Sequence, residues 1–116
     1  MSDMDDEEAV LAGHIQEIRR GSVVLACLSV LRNQHYGYSL LSTLEDAGFA
    51  VDANTLYPLL RRLEKQGLLT SQWNTEEPRP RKFYAVSETG TRFLDRLAAE
   101  WAELNGNIET LLREKS

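Results

Sequence analysis

The side chains best equipped for recognition chemistry fall in two short runs. Asn54, Thr55, Tyr57, Pro58, Arg61, Arg62 and Lys65 occupy the first, and Arg79, Arg81 and Lys82 the second. Guanidinium and ammonium groups donate to phosphate oxygens or guanine edges, an amide pairs with adenine, and a phenol donates to phosphate. Such a set reads a duplex. Nothing comparable exists for catalysis: His14 and His35 have no nearby Ser or Cys in a recognisable catalytic arrangement, and no Gly-rich phosphate loop, HExxH or CxxC occurs. A single cysteine, Cys27, with two histidines argues against structural zinc and excludes an internal disulfide. No catalytic residue, metal or cofactor is therefore expected, and the enzyme class is set aside.

These residues need elements to hold them. A helix is predicted from about Ile15 to Arg32, where Ile15, Ile18, Val23, Val24, Leu25, Leu28, Val30 and Leu31 are too dense for a strand, with Cys27 as a small core residue. A second helix runs from about Tyr38 to Ala47, with Leu40, Leu41 and Leu44 on one face and Gly48 as its stop. Asp52 caps a third that ends before Gly67. On that third helix Leu56, Leu59, Leu60 and Leu63 fall within about 100° of one another, and Asn54, Pro58, Arg61 and Lys65 point the opposite way, flanked by Tyr57 and Arg62. A purely structural account of this face would have Arg61 pair with Glu64. Pro58 lacks an N–H and predicts an irregular first turn that splays Asn54, Thr55 and Tyr57 outward.

After Gly67 the period changes to two. Residues 69–73 alternate, and after a polar, proline-bearing loop the run Arg81 to Val86 is rich in Phe, Tyr and Val, so a two-stranded hairpin is expected, with Arg79, Arg81 and Lys82 as a cationic wing and Glu76 and Glu77 opposing them. Ser87 caps a last helix whose apolar positions Leu94, Leu97, Trp101, Leu104, Ile108 and Leu111 are spaced three, four, three, four, three. That seam lies beyond the compact domain and is expected to meet its own copy. Asn105, Gly106 and Asn107 are poor helix formers and suggest a bend. The fold class is α+β: mainly helical with a small hairpin, a winged helix-turn-helix over residues 14–86 preceded by an acidic flexible tail (1–13) and followed by a dimerisation helix (87–116).

Charge at first opposes a nucleic-acid partner, because 13 Lys plus Arg face 18 Asp plus Glu, a net −5 with pI near 5.0. The excess is local. Asp3, Asp5, Asp6, Glu7 and Glu8 stand in the first eight residues without a base, whereas residues 54–92 hold seven bases and four acids, a local +3, and the stretch from Phe93 holds three bases and five acids, a local −2. No apolar run approaches ~20 residues, so no membrane span is expected and a cytoplasmic location fits.

Arg20-Gly21, His35-Tyr36-Gly37-Tyr38, the stretch Thr55-Leu56-Tyr57-Pro58-Leu59-Leu60-Arg61-Arg62-Leu63-Glu64, Gly67-Leu68-Leu69, Arg81-Lys82-Phe83-Tyr84 and Ser87-Glu88-Thr89-Gly90 resemble the successive signatures of the PadR family of bacterial transcriptional regulators, in its compact subgroup. The likeness spans about residues 17–113 and marks Pro58 as a family feature. It implies a homodimeric repressor on a pseudo-palindromic duplex operator, built on its C-terminal helices with the first helix against the partner. By position, Thr55, Tyr57, Pro58 and Arg61 match recognition-helix residues, Arg79, Arg81 and Lys82 match the wing, and Gly37 and Tyr38 open the second helix. In some compact members a tryptophan on the last helix flanks a pore where flat aromatic compounds stack. Trp101 occupies that place, with Asn105 and Ser29 as polar neighbours for a small aromatic effector; the alternative is that Trp101 simply packs the interface. The other class of function is a protein-interaction module that uses the winged helix as scaffold and the acidic tail as its contact.

Overall fold

The computed structural model describes residues 3–76 and 78–114; Glu77 of the predicted wing and the extreme ends of the predicted tail and last helix lie outside them. Four helices and three short strands follow one another as α1 (Asp3–Val30), β1 (His35–Tyr36), α2 (Gly37–Asp46), α3 (Ala53–Lys65), β2 (Leu69–Asn74), β3 (Arg81–Val86) and α4 (Glu88–Arg113). The strands form one antiparallel sheet in the order β1-β3-β2.

The leucines make the core. Cys27 and Leu28 from α1, Leu31 just after it, Leu40 and Leu44 from α2, the four leucines of α3, Leu68, Leu69, Tyr84 and Leu94 form one buried cluster. α2 and α3 stop where expected, at Gly48 (φ 95°) and Gly67 (φ 81°). Asp52 caps α3 by accepting from the Thr55 N–H at 2.8 Å. Ser87 does two jobs: its Oγ accepts from the Gly90 N–H at 2.9 Å to start α4, and donates to the Gly67 carbonyl at 2.6 Å, which latches α4 to the end of α3. Gly90 permits the close approach, because a Cβ there would lie 2.0 Å from the Leu68 carbonyl oxygen.

Three expectations differ from the structure. The acidic stretch is not a tail: α1 begins at Asp3, and its opening acids sit at the electropositive end of the helix, where negative charge stabilises it. The hairpin gains a third strand, because His35 and Tyr36 pair with Tyr84 and Phe83; His35 Nδ1 also lies 3.1 Å from Ser39 Oγ and so steadies the entry to α2. α3 is regular from Ala53, with the Leu56 N–H on the Asp52 carbonyl at 3.0 Å, so the irregular first turn is ruled out. Pro58 is the sixth residue of that helix, and the one carbonyl that loses its donor belongs to Asn54, an exposed residue. Asn105, Gly106 and Asn107 lie within α4, with Thr110 Oγ1 donating to the Gly106 carbonyl at 3.0 Å.

Candidate nucleic-acid interface

α3 buries Leu56, Leu59, Leu60 and Leu63 and leaves Asn54, Thr55, Pro58, Arg61, Arg62 and Lys65 exposed. Burial of the leucines under one face is what aims the polar face outward. Tyr57 departs from this set: it is half-buried, and its ring lies where a Cβ on Gly37 would be 2.5 Å from Cε1, so its packing on the start of α2 sets the angle between the two helices of the helix-turn-helix.

The three wing cations have three different environments. Arg79 is exposed, beside Pro78 and Tyr38. Arg81 donates to the Tyr38 hydroxyl at 2.5 Å, and its guanidinium carbon lies 4.8 Å from the Tyr36 ring centre and 5.3 Å from that of Tyr38. The two tyrosine rings are stacked at 6.0 Å and Phe83 meets Tyr36 edge-on, so Arg81 joins the wing to α2 through cation–π contact as well as a hydrogen bond. Tyr38 stays 55% exposed, with its hydroxyl at the surface of this cluster. Lys82 turns the other way, onto Glu64 of α3 at 3.4 Å and over the Tyr84 ring at 5.4 Å. Glu64 thus pairs with Lys82. Its carboxylate also accepts from Ser71 Oγ, and that hydrogen bond first, with the nearby Lys82 charge, holds its pKa below the ordinary value.

Two groups here escaped the sequence reading. Arg19 and Arg20 of α1 border a cleft of about 450 Å³ shared with Thr55, Pro58 and Arg62, and Arg19 donates to the Gly48 carbonyl at 2.9 Å. Trp73 stands 62% exposed on β2. An Arg-Arg pair is visible in a sequence, but only the fold places it beside α3.

Along α4 the seam leaves the core after its first member. Leu94 is buried, Leu97 is 37% exposed and Leu111 is 67% exposed, with Trp101, Leu104 and Ile108 between them also exposed. α1 and α4 border a groove of about 780 Å³ lined by Leu97, Trp101, Leu104, Asn105 and Ile108 on one side and by Ile18, Gly21, Ser22 and Leu25 on the other. Ser29 is not among them. Its place is taken by Ser22, two turns earlier, since by Ser29 α1 has entered the core; the Ser29 carbonyl accepts from Arg32 Nε at 2.9 Å. Burial pushes the Cys27 thiol up to about 12, which makes it a core side chain rather than a nucleophile.

The model of the Transcriptional regulator PadR-like family matches residues 27–96, the span from the buried end of α1 to the first turns of α4. The chain belongs to that family. Like other PadR-like regulators it is a DNA-binding regulator of transcription and not an enzyme. It is 36% identical over 89 residues to Transcriptional regulator Rv3488 of Mycobacterium tuberculosis, covering 74% of this chain and 83% of the relative. Among solved structures, a PadR family transcriptional regulator from Eggerthella lenta superposes with a TM-score of 0.90 at 41% identity, over 95% of this chain and 98% of that one. A PadR-like transcriptional regulator from Bacillus cereus shares the fold, with a TM-score of 0.77 at 24% identity over 85% and 99% of the two chains. PadR-like regulators are generally dimeric. None of the described helices of this one is long and apolar enough to cross a membrane.

Proposed function

We propose that this PadR-like regulator is a cytoplasmic homodimeric repressor that binds a pseudo-palindromic operator in duplex DNA through α3 and the wing, and leaves it when a flat aromatic molecule enters between α1 and α4. The observation that carries the DNA half is the exposed face of α3, where Asn54, Arg61 and Lys65 project above a floor of buried leucines. Each is a base- or phosphate-binding type, and two copies of the helix about 34 Å apart would enter successive turns of the major groove. The dimer half rests on the exposed seam from Leu97 to Leu111, apolar surface that a second α4 covers.

The effector half rests on Trp101 and Asn105, which line the α1–α4 groove. In this division of labour residues 14–86 bind DNA and residues 87–116 join the protomers. Binding of a duplex selected from a randomised pool, followed by anisotropy at several salt concentrations, tests the first part: a steep fall of affinity with salt and preference for a two-fold site are expected. A chain that binds every duplex alike, or none, is a protein-interaction module instead. For the effector, flat aromatic dyes should quench Trp101 emission in a Trp73→Phe variant, and unchanged emission removes the groove as a ligand site.

A further inference from the structure

The geometry points to Trp73 as a DNA contact in its own right: an apolar one, packed against the deoxyribose walls of the minor groove beside the major groove that α3 enters. The inference rests on the DNA-binding reading above and deepens it. Side chains alternate along a strand, so Trp73 shares a face of β2 with Ser71, whose Oγ donates to Glu64 near the end of α3. Across the hairpin its partner is Lys82, which also reaches Glu64. Both neighbours fix the indole on the side of the wing that looks toward α3. On the helical wheel half-buried Glu64 lies at the flank of α3, between buried Leu60 and exposed Arg61, so a duplex seated on Arg61 and Lys65 passes the outer end of that face of the wing.

Trp73 is the large apolar side chain there, 62% exposed, and exposed Arg79 supplies positive charge on the same hairpin. The sugar edges of a minor groove offer the matching surface, flat C–H walls bordered by phosphates. An indole that gains this cover adds affinity without neutralising a phosphate, and the contact tolerates any sequence because every nucleotide carries the sugar.

The test uses the full chain and a 40-base-pair duplex selected by the wild-type protein from a random pool. Trp73→Ala should weaken binding on the order of tenfold at every salt concentration with the slope of affinity against salt unchanged, and Trp73→Phe should recover most of the loss. Thermal unfolding of both variants alongside the wild type separates a lost contact from a damaged hairpin. In a Trp101→Phe background, emission from Trp73 should shift to the blue when the duplex is added. Equal binding by Trp73→Ala and wild type overturns the inference while leaving the DNA-binding reading intact. So does Trp73 emission that ignores DNA but changes with protein concentration, which would make the indole a contact between copies. A wild-type chain that selects no duplex overturns both readings.

Discussion

Helices α3 and α4 carry the same kind of pattern, large apolar residues recurring every three or four positions, and the fold treats them in opposite ways. In α3 every leucine of the stripe is covered within the chain, by α1, α2 and the start of β2. In α4 only Leu94 reaches that core, and the seam residues from Leu97 to Leu111 stay exposed although α1 borders the same groove as far as Ile108. α3 is therefore stiffened from beneath and can present a fixed polar face. α4 has an apolar face that α1 covers only in part, the arrangement expected of a helix completed by another molecule. The same periodicity thus builds a reading head in one place and an assembly surface in the other.

The largest effects should come from breaking each helix on its apolar side. Leu60→Ala in α3 removes a fully buried side chain and should lower the unfolding free energy by ~2–5 kcal/mol in urea titrations; a cost below ~1 kcal/mol would contradict the account of α3 as the core's centre. Leu104→Glu in α4 should leave the circular dichroism of the head intact yet raise the dimer dissociation constant at least ~100-fold, seen as a single-chain mass by sedimentation. A dimer that survives this change would remove the seam from the interface.

The polar sides give a finer contrast. Arg61→Ala on α3 should cost ~1–3 kcal/mol in operator affinity and relax discrimination at one base pair, while Arg96→Ala on α4 removes the same charge and should change affinity less than ~2-fold. Equal losses would reduce the face of α3 to general electrostatics. The smallest effect concerns the tie between α3 and the wing. Because the Glu64 pKa is lowered from 4.5, its stabilising contribution is present above that value and disappears as pH falls through the lower folded one. Wild-type stability should therefore converge on that of Glu64→Gln in acid and exceed it slightly at neutral pH. Parallel curves would show that the bridge to Ser71 and Lys82 carries no stability.

Local chemistry was legible where one residue decides it. Asp52 and Ser87 cap the helices they were expected to cap, Gly48 and Gly67 end α2 and α3, and the buried and exposed sides of α3 follow the leucines. β1 escaped because two residues carry no period; its existence depends on β3 lying alongside. The acidic opening of α1 looked like a tail because charged residues cannot build a core, yet a helix already anchored at Cys27 and Leu28 propagates outward at little cost. Ser29 and Ser22 could not be told apart without knowing where α1 leaves the core.

The wing shows most clearly what lay beyond the linear order. Arg79, Arg81 and Lys82 read as three equivalent cations, but strand alternation sends Arg81 to the tyrosines and Lys82 to Glu64. By itself the sequence determined the element types, the caps, the apolar stripes and the inventory of recognition side chains, because each depends on residues a few positions apart. Only the tertiary structure decided which stripe is covered, which cation is tied to a neighbour, and that Trp73 faces α3. Those outcomes depend on what packs against each face, and that contact is made by residues distant along the chain.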